Sequence, residues 1–168
     1  MTTITALDAP EDVLDENERN FVRKVREYGW FNNRILAEDE LPGFNFTTGF
    51  QITIGKPELI VFGLPKEAAH HLLWNSFRQM KDGLVLEAGI PYAEFLERFD
   101  VYFQPVDKAH YHEHLGWSRW FYGGDNFECW QLIWPDKVGI FPWQPEYEKR
   151  FLTLQPDLSG GNWNGMKA

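Results

Sequence analysis

The chain reads Pro57-Glu58-Leu59-Ile60-Val61-Phe62-Gly63-Leu64 at residues 57–64, with four consecutive apolar side chains and no polar alternation. A strand with one face in water alternates apolar and polar residues, so this run predicts a strand buried on both faces. We therefore place it at the centre of a sheet. Pro65 then occupies a favourable first helical position, and apolar residues recur at helical spacing through about Asp82.

Further elements are predicted on both sides of this central strand. An amphipathic helix over residues 15–28 ends at Gly29, and Asp107 is expected to cap a short helix that starts at Lys108. The remaining apolar stretches are typical of strands. These strands are expected over residues 30–36, 44–54 and 101–106 and in a final hairpin over 128–134 and 138–141.

This pattern predicts a single α+β domain with a largely antiparallel sheet that two or three helices cover. The domain is expected over residues 15–155. An acidic, flexible leader over residues 1–14 precedes it, and a tail rich in glycine and proline over residues 156–168 follows it.

The composition excludes several classes of partner. The 168 residues include 25 acidic and 16 basic side chains, and the formal net charge is −9. Binding of a phosphate backbone needs a concentrated basic surface, so nucleic acid is not an expected partner. No apolar run approaches the roughly 18 to 20 residues that cross a bilayer, so no membrane partner is expected either. Residues 1–15 carry acidic side chains where a signal peptide carries basic ones, so we expect a cytoplasmic protein.

Several motifs of this chain are found together in one bacterial family. They are Phe46-Thr47-Thr48-Gly49-Phe50, the 57–64 stretch, His110-Tyr111, Trp120-Phe121-Tyr122, Gln131-Leu132-Ile133-Trp134-Pro135-Asp136 and Phe141-Pro142-Trp143. With them the chain resembles, from about Val25 to Tyr147, the family catalogued as domain of unknown function 4262. The resemblance implies a shared fold, and it brings no activity with it.

Two features are candidates for catalysis or metal binding. Glu58 enters a buried strand, where a raised pKa would suit a general base, although capping of a nearby turn is the interpretation that we favour. His110 and His114 are one helical turn apart and can chelate a divalent metal. A zinc or iron site needs a third ligand that the spacing does not supply, so we predict no cofactor and keep the metal as an alternative.

Large rings are interleaved with polar side chains between residues 117 and 143. Such rings can stack on a planar ligand, a flavin included, or anchor a protein interface. The expected recognition residues are Trp117, Arg119, Tyr122, Gln131 and Trp134.

Acidic side chains are concentrated before residue 41, where residues 1–40 hold ten acidic and five basic ones. We predict that they form an interface for a basic protein, for example a toxin that an immunity protein neutralises. The alternative is an enzyme or binder of small molecules that uses a flavin or a metal. The expected interface residues are Glu11, Asp12, Asp15, Glu38, Asp39 and Glu40.

Overall fold

The strand Glu58–Phe62 (β3) lies in the middle of a five-stranded sheet. The computed structural model describes residues 4–161 together with Trp163 and Met166. The predicted central position of residues 57–64 is confirmed. Across the sheet the strands are β1 (Phe31–Ile35), β2 (Phe44–Thr48), β3, β5 (Cys129–Ile133) and β4 (Tyr102–Pro105).

The sheet is largely antiparallel, as predicted. β1 pairs with β2, β2 with β3, and β4 with β5 in antiparallel register, whereas β3 and β5 run parallel. The parallel pair requires a long crossover, which contains the helix α3 (Lys66–Lys81), β4 and two short helices. The fold is therefore α+β with one parallel step in its sheet.

Both faces of β3 are buried because helices cover both sides of the sheet. Leu59 and Val61 pack with α3 in one apolar cluster. Ile60 and Phe62 point to the opposite face, since side chains alternate along a strand. That face is covered by α1 (Glu16–Tyr28), α4 (Tyr111–His114) and α5 (Gly116–Tyr122).

The prediction of one strand over residues 44–54 is wrong, because the chain turns at Gly49 and continues as the helix α2 (Phe50–Ile54). Gly49 has a φ of 126°, and a Cβ at this position would lie 2.5 Å from the carbonyl oxygen of Gly29. A residue with a side chain does not fit there. The apolar pattern of the segment does not reveal this turn.

The predicted final hairpin is also wrong, since residues 138–141 do not form a strand. The Asp136 carboxylate closes a turn instead, and its Oδ1 accepts hydrogen bonds from the amides of Val138 at 3.0 Å and Ile140 at 2.9 Å. Beyond the turn, the rings of Phe141 and Trp143 stack with centroids 5.0 Å apart.

The two ends of the described chain pack against the domain. The expected leader contains the 3-10 helices Ala6–Asp8 and Glu11–Val13, and Leu14 is buried. In the expected tail, the carbonyl of Leu158 accepts a hydrogen bond from the amide of Asp107 at 2.7 Å. Residues 1–3 of the leader and residues 162, 164, 165, 167 and 168 of the tail lie outside the described residues. None of the described helices is long and apolar enough to cross a membrane.

Candidate functional site

The Glu58 side chain is fully buried and is surrounded by hydrogen-bond donors. Its Oε1 accepts from the Thr47 hydroxyl at 2.7 Å and from the amide of Phe50 at 3.1 Å. Its Oε2 accepts from the amides of Gly49 and Gln51, both at 3.1 Å. The amides at the start of a helix lack acceptors within the helix, and the carboxylate supplies them.

A fifth donor comes from the helix α5. The Tyr122 hydroxyl, at the end of α5, donates to Oε2 of Glu58. One turn earlier, Ser118 Oγ lies 2.6 Å from the Thr48 hydroxyl and donates to the carbonyl of Thr47 at 3.2 Å. These polar contacts attach α5 to the end of β2 and the start of β3.

Burial shifts the pKa values of this group of side chains in one direction. Desolvation raises the pKa of Glu58, and hydrogen bonds from Tyr122, Gln51, Thr47 and Gly49 oppose the shift. Desolvation and the neighbouring Glu58 also raise the pKa values of Tyr122 and Cys129. Cys129 therefore keeps its proton at neutral pH, which does not suit a nucleophile.

The Glu58 centre is closed to substrates. Glu58, Tyr122 and Cys129 line none of four cavities that lie in the described part of the chain. A general base has to reach the proton that it removes, whereas this carboxylate is engaged by five donors. The geometry therefore supports the capping interpretation of Glu58.

Two of the expected recognition residues, Tyr122 and Gln131, are buried in the fold instead of lying on a surface. The Gln131 side chain donates to the carbonyl of Pro156 at 2.8 Å and accepts from the amide of Leu158 at 3.3 Å. The Gln131 side chain thus holds residues 156–158 against β5, and the Tyr122 hydroxyl donates to Glu58.

The other three expected recognition residues are half-buried and far from a common pocket. The Trp117 ring stacks on Phe21 with centroids 4.9 Å apart, and the Trp134 indole donates to a backbone carbonyl. Arg119 forms an ion pair with Asp125 at 2.6 Å. None of the three lines the four cavities, so their contacts belong to the fold.

The acidic residues expected at an interface are exposed in two places. Glu11 and Asp12 lie in a surface 3-10 helix, and the Asp15 carboxylate caps α1 by accepting from the amide of Glu18 at 2.8 Å. The second place is the tip of the β1–β2 hairpin, residues 36–42, which we call the acidic tip. It carries Glu38, Asp39 and Glu40, all exposed.

Apolar side chains of the acidic tip are exposed as well. Leu36 is 71% and Leu41 69% exposed, and Glu38 and Leu41 close the tip with two mutual backbone hydrogen bonds. Asp39 has a φ of 46°, the one positive φ of a non-glycine residue in the described chain. Next to the tip lies a cavity of about 560 Å³, which Asp39, Glu40 and Leu41 share with residues 153–154.

An aromatic cavity that the sequence did not indicate lies beside the edge strand β1. It measures about 420 Å³, and Trp30 on its wall is only 3% exposed and has no hydrogen-bond partner for its indole N–H among the described residues. The rings come from three separate elements, so their joint cavity is invisible in the sequence. The cavity is lined by Lys24, Tyr28, Trp30, Phe31, Asn32, His70 and Trp74.

A smaller cavity of about 240 Å³ adjoins the aromatic cavity and shares Asn32 and His70 with it. The cations Arg34 and Lys66 lie on the wall of this smaller cavity together with the carboxylate of Glu67. An aromatic and a charged cavity thus adjoin along β1.

The structure also brings His110 and His114 together and adds Glu113 as a neighbour. His112, between them in the sequence, instead lies 3.0 Å from the guanidinium of Arg119 through its Nδ1. The alternating histidines are therefore divided into two environments.

A comparison with protein families assigns the chain to one of them. The family described as domain of unknown function (DUF4262) matches residues 24–148. The chain belongs to this family. No curated protein and no solved structure gives a match.

Three of the DUF4262 motifs meet at the Glu58 carboxylate. The 46–50 motif supplies the donors Thr47, Gly49 and Phe50, the 57–64 stretch supplies Glu58, and the 120–122 motif supplies Tyr122. The matched region also contains the acidic tip, whereas Glu11, Asp12 and Asp15 precede it.

Substitution Glu58→Gln is expected to destabilise the DUF4262 fold by about 2–4 kcal/mol, because the amide nitrogen would face donors where an acceptor is needed. Urea unfolding at neutral pH measures the change. The exposed Glu87→Gln is the control and should shift stability by less than about 0.5 kcal/mol. Equal stability of the Glu58→Gln variant and the natural protein would contradict the capping role.

The free energy of unfolding is expected to fall as pH rises above about 10, because tyrosines ionise near that value in the unfolded chain. Burial raises the pKa values of Tyr111 and Tyr122 above it, so the folded state keeps protons that the unfolded state loses. Tyr122→Phe should flatten this slope by up to about 1.4 kcal/mol per pH unit. Thr47→Val is the control, since it weakens the same centre and keeps the phenol. An unchanged slope in Tyr122→Phe would refute the assignment.

Proposed function

We propose that this protein binds a basic protein partner through the acidic tip, in the manner of an immunity protein that neutralises a toxin. The observation that carries the proposal is the exposure of Leu36 and Leu41 on both sides of three carboxylates. Protein interfaces combine an apolar centre with a polar rim, and the acidic tip offers both kinds of side chain.

The charges of the acidic tip are available to a partner. Glu38, Asp39 and Glu40 form no ion pair with any described residue. Their proximity to one another favours a partner with lysine or arginine side chains around an apolar patch. The formal net charge of −9 supports electrostatic steering of such a partner and rapid association.

The cavity beside the acidic tip provides a place for one long basic side chain. Its wall combines the carboxylates Asp39 and Glu40 with the apolar Leu41 and Leu154. A lysine or arginine places its apolar stem against such a wall and its charge beside the carboxylates.

A binding role is favoured over an enzymatic one because Glu58, the candidate general base, is fully enclosed. The proposed compartment is the cytoplasm. Cys129 is a free thiol, as a reducing compartment allows.

A photo-crosslinking amino acid at Leu36 or Leu41 is expected to attach to a basic protein when the chain is expressed in its source cells. Mass spectrometry identifies the adduct. The control position is Val138, which is 74% exposed and equally apolar but lies outside the acidic tip. Adducts at Val138 alone, or at none of the three positions, would contradict the proposed interface.

Charge reversal then tests steering with the partner so identified. The double substitution E38K/E40K should lower the association rate constant about 10- to 100-fold at low salt and much less at high salt. E11K/D12K reverses the other acidic cluster as a matched control. Association rates that do not depend on salt would exclude the steering role.

A second candidate function is binding of a planar ligand in the aromatic cavity, and we propose a flavin as its ligand class. The specific observation is the set of aromatic side chains around this cavity, on which a planar ring can stack; these are Tyr28, Trp30, Phe31 and Trp74. The phosphate of FMN would lie in the adjoining cavity, where the cations Arg34 and Lys66 accompany the carboxylate of Glu67.

Titration with FMN and riboflavin, followed by flavin fluorescence, tests this candidate. Trp74→Ala should weaken both ligands about tenfold, because it removes a ring on which the flavin stacks and leaves the core residue Trp30 in place. Arg34→Ala should weaken FMN and leave riboflavin unchanged. If the natural protein leaves the fluorescence of both flavins unquenched, the candidate fails.

A further inference from the structure

The three side chains His110, Glu113 and His114 each offer one ligand atom, and these atoms all lie within 4.8 Å of one another. His110 ends the 3-10 helix Lys108–His110, and the other two lie in α4 directly after it. Spacings of three and four residues place side chains on one face of a helix. Glu113 is thus the third ligand that the sequence spacing of the histidines alone did not provide.

The His114 ring is oriented for ligation by contacts on two sides. Its Nδ1 lies 3.1 Å from the carbonyl oxygen of His110, which can only accept, so Nδ1 carries the proton. Nε2 then has a free lone pair, the arrangement that metal-bound histidines commonly show. Outside the cluster, the rings of Phe44 and Phe62 contact the imidazole at centroid distances of 5.3 and 5.5 Å.

The neighbouring charged groups of this segment are engaged elsewhere. Lys108 donates to the carbonyls of Asp125 and Phe127, and Arg119 contacts His112 and pairs with Asp125. Neither cation occupies the position between the three ligand atoms, and His112 does not join them.

We propose that His110, Glu113 and His114 bind one divalent transition metal ion of the zinc, cobalt or nickel class. Two imidazoles with one carboxylate suit these ions, whereas magnesium and calcium prefer oxygen ligands throughout. Ligand bonds of about 2.0–2.2 Å draw the three atoms closer together, which the half-exposed His110 and the exposed Glu113 allow. Three protein ligands leave at least one coordination position for water or for a ligand group. This site is independent of the proposed function at the acidic tip.

Titration of the untagged, chelator-treated protein with Co²⁺ tests the site through the visible absorption of the bound ion. One equivalent of Co²⁺ is expected to bind, and Zn²⁺ should displace it. His110→Ala and His114→Ala should each weaken binding at least tenfold, and Glu113→Gln should weaken it to a smaller extent. Zn²⁺ should also raise the urea midpoint of the natural protein and not that of the His110→Ala variant.

His112→Ala is the matched control within the same segment, and it should bind Co²⁺ as the natural protein does. Replacement of His70 and His71 with alanine checks the remaining histidines in the same way. If His114→Ala loses its fold, His110→Ala supplies the same test, because its side chain is only half-buried. Co²⁺ affinity that is unchanged in His110→Ala, or lost equally in His112→Ala, would overturn the proposal.

Discussion

The buried carboxylate of Glu58 is the contact on which the arrangement of this domain depends. Its oxygens accept hydrogen bonds from the Thr47 hydroxyl in β2, from three amides at the start of α2 and from the Tyr122 hydroxyl at the end of α5. Burial of an unpaired carboxylate is strongly unfavourable unless hydrogen bonds satisfy its oxygens. The five donors satisfy them, so the loss of any one donor weakens this compensation. This requirement couples three separate parts of the chain.

The same centre accounts for the local structure around it. The turn at Gly49 directs three successive amides towards the carboxylate, and the closeness of Gly29 excludes any side chain at this position. The turn ends β2 and starts α2, and it places Trp30 and Phe50 in contact with a centroid distance of 5.5 Å. The Gly49 turn thus brings a ring of α2 against Trp30, which also lines the aromatic cavity.

The accessible chemistry of the protein lies away from this centre. The acidic tip projects from the β1–β2 hairpin, the aromatic cavity flanks the edge strand, and the proposed metal ligands lie in α4 and directly before it. Loops on a rigid scaffold tolerate functional variation.

Much of the fold could be predicted from local patterns. The apolar run of β3 and the helical spacing of α1 and α3 depend on neighbours in the chain, so periodicity reveals them. The end of β2 at Gly49 was not predictable in this way, because its causes are Glu58 nine residues later and Gly29 twenty residues earlier.

The same distinction between local patterns and contacts of distant residues applies to the candidate sites. Sequence alone determined the α+β class, the family, the exposed acidity before residue 41 and the helical spacing of His110 and His114. Only the tertiary structure decided that Tyr122 and Gln131 are buried, that the Glu113 carboxylate lies beside His110 and His114, and that Trp30 and Trp74 share a cavity. The physical reason is distance along the chain: the hydrogen bond from Tyr122 to Glu58 and the contact between the rings of Trp30 and Trp74 join residues tens of positions apart, and no local pattern records them.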